Sequence, residues 1–170
     1  NVASAPERLD VAPIPYADLV VSNIAVPSNA ASGQPLSFNF EVLNQGIAAT
    51  NLASWQDVVR LARNPDGTNL IGGFDIVQDS TFTAGDPTVA GLFGHIGALG
   101  VGADYQRSAK VQPPDGLEGT IYVVVSTGGP FEFVNDDNNT TVSGPINVIL
   151  PPTPDLIVEQ ITGPPQALSG

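Results

Sequence analysis

Cysteine is absent from the 170 residues and so is methionine, while lysine occurs once, at Lys110, and histidine once, at His95. Without cysteine there can be no disulfide, no thiolate nucleophile and no sulfur-ligated metal. A chain of this length buries a core without disulfides, so their absence does not argue for a reducing compartment. Five cations stand against seventeen acids, a formal net charge of −12. Scattered as they are, those five cannot form the basic patch that a phosphate backbone requires, which excludes nucleic acid as a partner. No apolar run approaches the roughly 20 residues of a membrane span, so no membrane insertion is expected within these residues. No segment keeps a helical period of useful length.

What is present is apolar and finely punctuated. The chain is 42% hydrophobic and 13% charged, with 18 glycines and 16 prolines, a composition of many short strands and many turns rather than of disorder. The clearest strand is LSFNFEV at 36–42, in which Leu36, Phe38, Phe40 and Val42 face one way and Ser37, Asn39 and Glu41 the other. Further strands are expected at 18–26, 55–62, 70–77, 89–96, 103–111, 119–127 and 140–150. Turns are expected at 28–34, at Asn64-Pro65-Asp66-Gly67 and at Pro113-Pro114-Asp115-Gly116, and a polar loop at 78–88. Trp55, Val59 and Leu61 are the inward candidates of their strand, and the apolar run Ile121–Val125 suits a strand covered on both faces. The pattern predicts an all-β fold, an immunoglobulin-like antiparallel β-sandwich, with a closed barrel as the alternative.

One stretch occurs twice. ADLVVSNIAVPSNAASG at 17–33 and PDLIVEQITGPPQALSG at 154–170 align without gaps at an offset of 137 and share eight of seventeen residues, from Asp18/Asp155 to Gly33/Gly170. Leu9-Asp10-Val11 falls on Ile146-Asn147-Val148 at the same offset. We read a tandem repeat: residues 1–16 as the tail of a preceding unit with its linker, 17–150 as one complete unit, and 151–170 as a linker and the first strand of the next. The proline-rich linkers VAPIPYA and LPPTP act as stiff spacers. Lone terminal strands invite pairing. Inter-repeat strand pairing is therefore expected through Leu19, Val21 and Ile24 and their counterparts Leu156, Val158 and Ile161, with neighbouring copies of the same repeat as the partners.

The same residues resemble the CARDB module, the cell-adhesion-related domain found in bacteria. The opening DL-hydrophobic strand, Pro27, a Ser-Gly turn and an alternating strand ending in Asn44-Gln45-Gly46 follow its pattern. WQDVVRL from Trp55 resembles its W-x-D strand, LEGTIYVVV from Leu117 its G-x-Y-hydrophobic strand, and Asp137-Asn138-Asn139 with Pro145-Ile146-Asn147-Val148 its closing elements. The region 64–77 is longer than the family's usual step. The resemblance implies an immunoglobulin-like sandwich, commonly repeated in large surface and secreted proteins, and no catalytic residue.

Candidate sites are few. His95, in FGHIG, has no partner visible in sequence, and neither a Gly-x-Ser-x-Gly elbow, a zinc spacing nor a phosphate loop is present, so no enzyme activity is expected. Asp79 and Asp86 lack the EF-hand pattern and read as turn-forming acids. Asp136, Asp137, Asn138 and Asn139, which follow Asn135, put oxygen ligands in succession ahead of a strand. They are the candidate calcium ligands, with Glu132, Asp18 or Asp155 as further donors; the competing reading is a solvated polar turn. No other cofactor is expected. Asn138 and Asn139 also open two overlapping N-x-T sequons. The function expected is a structural repeat of an extracellular or cell-surface adhesin, fibre or filament. The alternatives are a glycan- or protein-recognition module using loops 64–69, 78–88 and 128–139, or an accessory domain of a secreted hydrolase.

Overall fold

A computed structural model describes residues 14–74, 86–132, 137–152 and 154–163. All regular structure among them is β: β1 Leu19–Ala25, β2 Asn29–Ala31, β3 Leu36–Asn44, β4 Ser54–Ala62, β5 Val89–Ile96, β6 Asp104–Val111, β7 Gly119–Ser126, β8 Thr140–Val142 and β9 Ile146–Ile149. Two sheets form. One is three-stranded and antiparallel in the order β1-β3-β6; the other runs β2-β9-β7-β4-β5, with β8 also paired to β7.

Period-two alternation builds the interior. Leu36, Phe38, Phe40 and Val42 of β3 are buried while Ser37 and Asn39 are exposed, because successive side chains of a strand point to opposite faces. They meet Leu19 and Val21 of β1, Val59 and Leu61 of β4, and Ile121, Val123 and Val125 of β7 in one core. Val124 is buried as well, on the other face of β7, in keeping with the doubly covered strand expected there.

Three expectations are corrected. Residues 70–77 do not make a strand where they are described: Leu70 forms a single bridge to Ala62, and 71–74 carry no strand. Gly72-Gly73 ends the pairing, Gly73 having φ +87°, a left-handed conformation that leaves the strand path. The turn expected at 28–34 contains β2, which pairs in parallel with β9. The strand expected at 140–150 is divided into β8 and β9 at Ser143-Gly144-Pro145, where proline cannot supply a ladder donor.

The chain enters and leaves the sandwich at opposite ends. Leu19, which begins β1, lies opposite Asn44, which ends β3, and β6 begins at this same end, with Leu43 opposite Asp104. The chain therefore comes in beside the β3–β4 and β5–β6 connections. It leaves beyond Ile149, next to Gly119 at the start of β7, since Val148 lies opposite Gly119. That is the other end of the sheets.

Candidate functional site

Two polar nodes stand out among the apolar side chains. The first is at the incoming end. Asn44, at the close of β3, is fully buried, and its amide is saturated: Oδ1 accepts from the backbone N of Asp18 at 3.1 Å and of Gly46 at 3.0 Å, and Nδ2 donates to Ala48 O at 2.9 Å and Leu99 O at 3.0 Å. One side chain thereby ties the incoming strand to the β3–β4 and β5–β6 connections. Gly46 completes the turn because a Cβ there would lie 2.5 Å from Asp18 N and 2.7 Å from Tyr16 O. Ile47 N and Ala48 N both donate to Tyr16 O at 3.0 Å, so residues 16–18 are already docked onto this end.

Asp18, also buried, accepts from Gln45 Nε2 at 3.1 Å and from Asn138 Nδ2 at 2.9 Å. Asn139 Nδ2 donates to Glu132 Oε1 at 3.1 Å. The amide oxygens of Asn138 and Asn139 are shut off from solvent and meet no donor among the described residues. Of the calcium ligands expected from sequence, Asn138 and Asn139 thus converge on Asp18 and Glu132, whereas Asp137 is exposed and Asp136 lies outside the described residues. No group of three or more His, Cys, Asp or Glu side chains able to hold a metal gathers among the described residues. The amide nitrogens of both sequon asparagines are engaged in these bonds.

The second node closes the open side between β5 and β6. Asp57 of β4 is fully buried and joins the sheets: Tyr105 Oη of β6 donates to it at 2.8 Å, Thr127 Oγ1 donates at 2.8 Å, and Arg107 Nε lies 3.6 Å away. Trp55 Nε1 donates to Tyr105 Oη at 3.2 Å. The His95 ring lies between those of Trp55 and Tyr105, with centroids 4.1 and 4.0 Å away. Arg107 Nη2 donates to Gly94 O at 2.6 Å. Burial pushes the Asp57 carboxyl above its ordinary value, against the pull of Thr127, Tyr105 and the charges of Arg107 and His95. Burial and the neighbouring Asp57 push the Tyr105 phenol up as well. The bonds of Tyr105 to Asp57 and Trp55, and of Arg107 to Gly94, run from β6 to β4 and β5 and clasp the two sheets together. His95 takes part in this clasp through its contacts with the Trp55 and Tyr105 rings, and its Nε2 lies 2.9 Å from Gly97 O. Sequence reasoning missed Asp57, although strict alternation with Trp55, Val59 and Leu61 places it inward.

The remaining candidates are resolved simply. Asp86 Oδ1 accepts from the backbone N of Thr88 at 2.9 Å and from its hydroxyl at 2.7 Å, the turn role expected for it; Asp79 lies outside the described residues. Leu19, Val21 and Ile24 lie in β1, paired with β3, and Leu19 and Val21 are buried. Leu156, Val158 and Ile161 belong to no strand and are exposed. A shallow depression on the outer face of the three-stranded sheet, about 400 Å³, is bordered by Ser37, Asn39, Ser108 and Lys110, and Ser108 Oγ and Asn39 Oδ1 satisfy each other at 2.7 Å.

With these two nodes set in two sheets, the molecule is a β-sandwich whose polar interior groups hold layers and connections together. No family model and no curated protein sequence matches the chain. Among solved structures it is similar to the crystal structure of a CARDB domain from Pyrococcus furiosus in complex with di-metal ions, at 15% identity and a TM-score of 0.53, over 86% of this chain and all of that one. A solution structure of the same domain matches at 15% identity and a TM-score of 0.49, over 80% of this chain and 98% of that one. A β-glucosidase from Listeria innocua in complex with isofagomine matches at 15% identity and a TM-score of 0.43, over 78% of this chain and 16% of that one. At such identity the likeness bears on the fold, and the fold matched first is that of CARDB domains, the family whose strand motifs the sequence resembles.

Proposed function

We propose that the chain is a non-catalytic structural repeat of an extracellular or cell-surface adhesin, fibre or filament, an immunoglobulin-like unit joined head to tail to copies of itself. The observation that carries this reading is the coincidence of two polarities. The sandwich takes in its chain at one end and releases it at the other, and the sequence starts again at an offset of 137 just beyond that exit. In the following unit Leu156, Val158 and Ile161 would take the places that Leu19, Val21 and Ile24 hold here, whether in the same chain or by strand addition from a separate one. That would bury side chains that are exposed in this one.

A divalent cation belongs to the same proposal. Calcium would sit at the incoming end with Asp136, Asp137, Asn138 and Asn139, drawing on Asp18 and Glu132. The amide oxygens of Asn138 and Asn139 are buried without a donor among the described residues, which supports a cation as their partner. The Pyrococcus furiosus domain, solved with di-metal ions, is the neighbour that makes a cation worth testing. Calcium should raise the melting temperature of the chain above that in EGTA, and coincident curves would remove calcium from the reading.

The structural reading itself is tested by display on a glycan array and by pull-down from cell-surface extracts. The expected result is no saturable ligand other than copies of the chain. A specific glycan or protein bound through loops 64–69, 78–88 or 128–139 would replace this reading with that of a recognition module.

A further inference from the structure

The incoming end of the sandwich carries apolar side chains that the core does not use. Ile47 and Leu52 of the β3–β4 connection are 62% and 42% exposed, Ile96 at the end of β5 is 90% exposed, and Val101 of the β5–β6 connection is 59% exposed. Named bonds hold these loops together as one cap. Thr50 N donates to Leu99 O at 3.0 Å, Gly97 N to Ala53 O at 2.8 Å, and Gly102 N to Asn44 O at 2.8 Å. At the opposite end Ile149, Leu150 and Leu70 are also largely exposed. In a chain with a net charge of −12, apolar side chains collected at both ends of the sandwich call for a partner.

The repeat identifies that partner through its linker. At the 137-residue offset Thr153 corresponds to Tyr16 and Asp155 to Asp18. Residues 16–18 are fixed on the incoming end by Ile47 N, Ala48 N and the Asn44 amide, so their counterparts 153–155 would be fixed on the next unit. Only Leu150, Pro151 and Pro152 then separate Ile149 from a docked residue. Those four steps of chain span no more than about 14 Å, and the two prolines hold them extended. Bodies tethered that closely meet at their facing loops.

We infer that consecutive units pack end to end, with Ile47, Leu52, Ile96 and Val101 of one unit seated against Ile149, Leu150 and Leu70 of the unit before it. The occupant of the cap is therefore a second copy of this sandwich, and the array is a stiff rod rather than beads on a string. This inference rests on the tandem-repeat reading.

The test is a tandem protein in which residues 1–153 are followed directly by 17–170, which keeps the natural phase. NMR relaxation of each unit and small-angle scattering are compared with those of a variant carrying Ile96→Asp and Val101→Asp in the second copy. Docked units share one rotational correlation time, and the variant splits it into two shorter ones. The same substitutions in the 170-residue chain should leave it folded at 0.15 M salt, where repulsion from the two added carboxylates is screened, because both side chains are exposed. Two folded units that tumble independently in the unsubstituted tandem overturn the packing and leave the repeat standing. Common tumbling that survives the two aspartates also overturns it. A second copy that stays unfolded overturns the repeat reading itself.

Discussion

Asn44 shows how one residue can set the geometry of a whole end. A buried amide has two donor and two acceptor sites, and here all four meet backbone groups from three segments. Removing it leaves four backbone groups, three of them in buried residues, short of a partner, each buried one costing about 1–3 kcal/mol with partial relief from water. Asn44→Ala should therefore lower stability by about 3–5 kcal/mol in urea unfolding, and Gly46→Ala should also destabilise, by forcing the docked backbone of 16–18 away. An Asn44→Ala variant as stable as the parent would show that the node is incidental. Asp57 makes a different case, because its pKa is raised. The folded state then holds the proton more tightly than the unfolded chain. Its favourable contribution is complete below the ordinary carboxylate range near ~4 and is lost as pH rises through the raised folded value. Asp66 and Asp86, held low first by the hydroxyls of Thr68 and Thr88, act with the opposite sign: their stabilisation is present above that range and lost as pH falls. The Asp57 contribution is isolated by subtracting the unfolding free energy of Asp57→Asn from that of the parent across pH 3–7. That difference should decrease as pH rises, and an increase would mean that Arg107 and the two hydroxyls outweigh burial.

At the level of elements, β4 and β7 are the best enclosed and β2 and β8 the least. Val59, Leu61, Val123 and Val125 are fully buried in strands with partners on both sides, whereas β2 and β8 have three residues each and no fully buried side chain. Amide exchange should place Val59, Leu61, Val123 and Val125 at the global unfolding limit, and 29–31 and 140–142 well below it, opening locally. Equal protection everywhere would contradict this layering. The same contrast explains what was legible in the sequence. β3 and β4 declare themselves because their alternation is written into their own residues. β2 does not, since Asn29-Ala30-Ala31 is extended only because β9 lies alongside it. The Asn44 and Asp57 nodes were illegible for a related reason. Asn44 and Gly46 read as a turn, but the partners that make the turn a node lie 26 and 55 residues away, and Asp57 finds Tyr105 and Thr127 at separations of 48 and 70. Local pattern shows that a polar residue points inward, but not what it meets there.

For the molecule as a whole, the decisive quantity is the imbalance of charge. Seventeen acids share five cations, and two ion pairs are found among the described residues, Arg60–Asp86 and the half-buried Arg107 with the buried Asp57. Attractions are soon exhausted in such a chain, and the remaining carboxylates repel one another across the surface. Between about 0.01 and 0.15 M salt the screening length falls from about 30 Å to about 8 Å, which removes more repulsion than attraction. Sodium chloride should therefore raise the melting temperature over this range, and a fall would mean that local ion pairs govern the surface instead. The same titration separates a cation site from general screening. At matched ionic strength, magnesium and sodium chloride report screening, so a calcium gain larger than both requires a site with its own geometry. The cluster of Asp18, Glu132, Asn138 and Asn139 is where that site would be, and Asn139→Ala should then abolish the excess while leaving the response to sodium chloride intact.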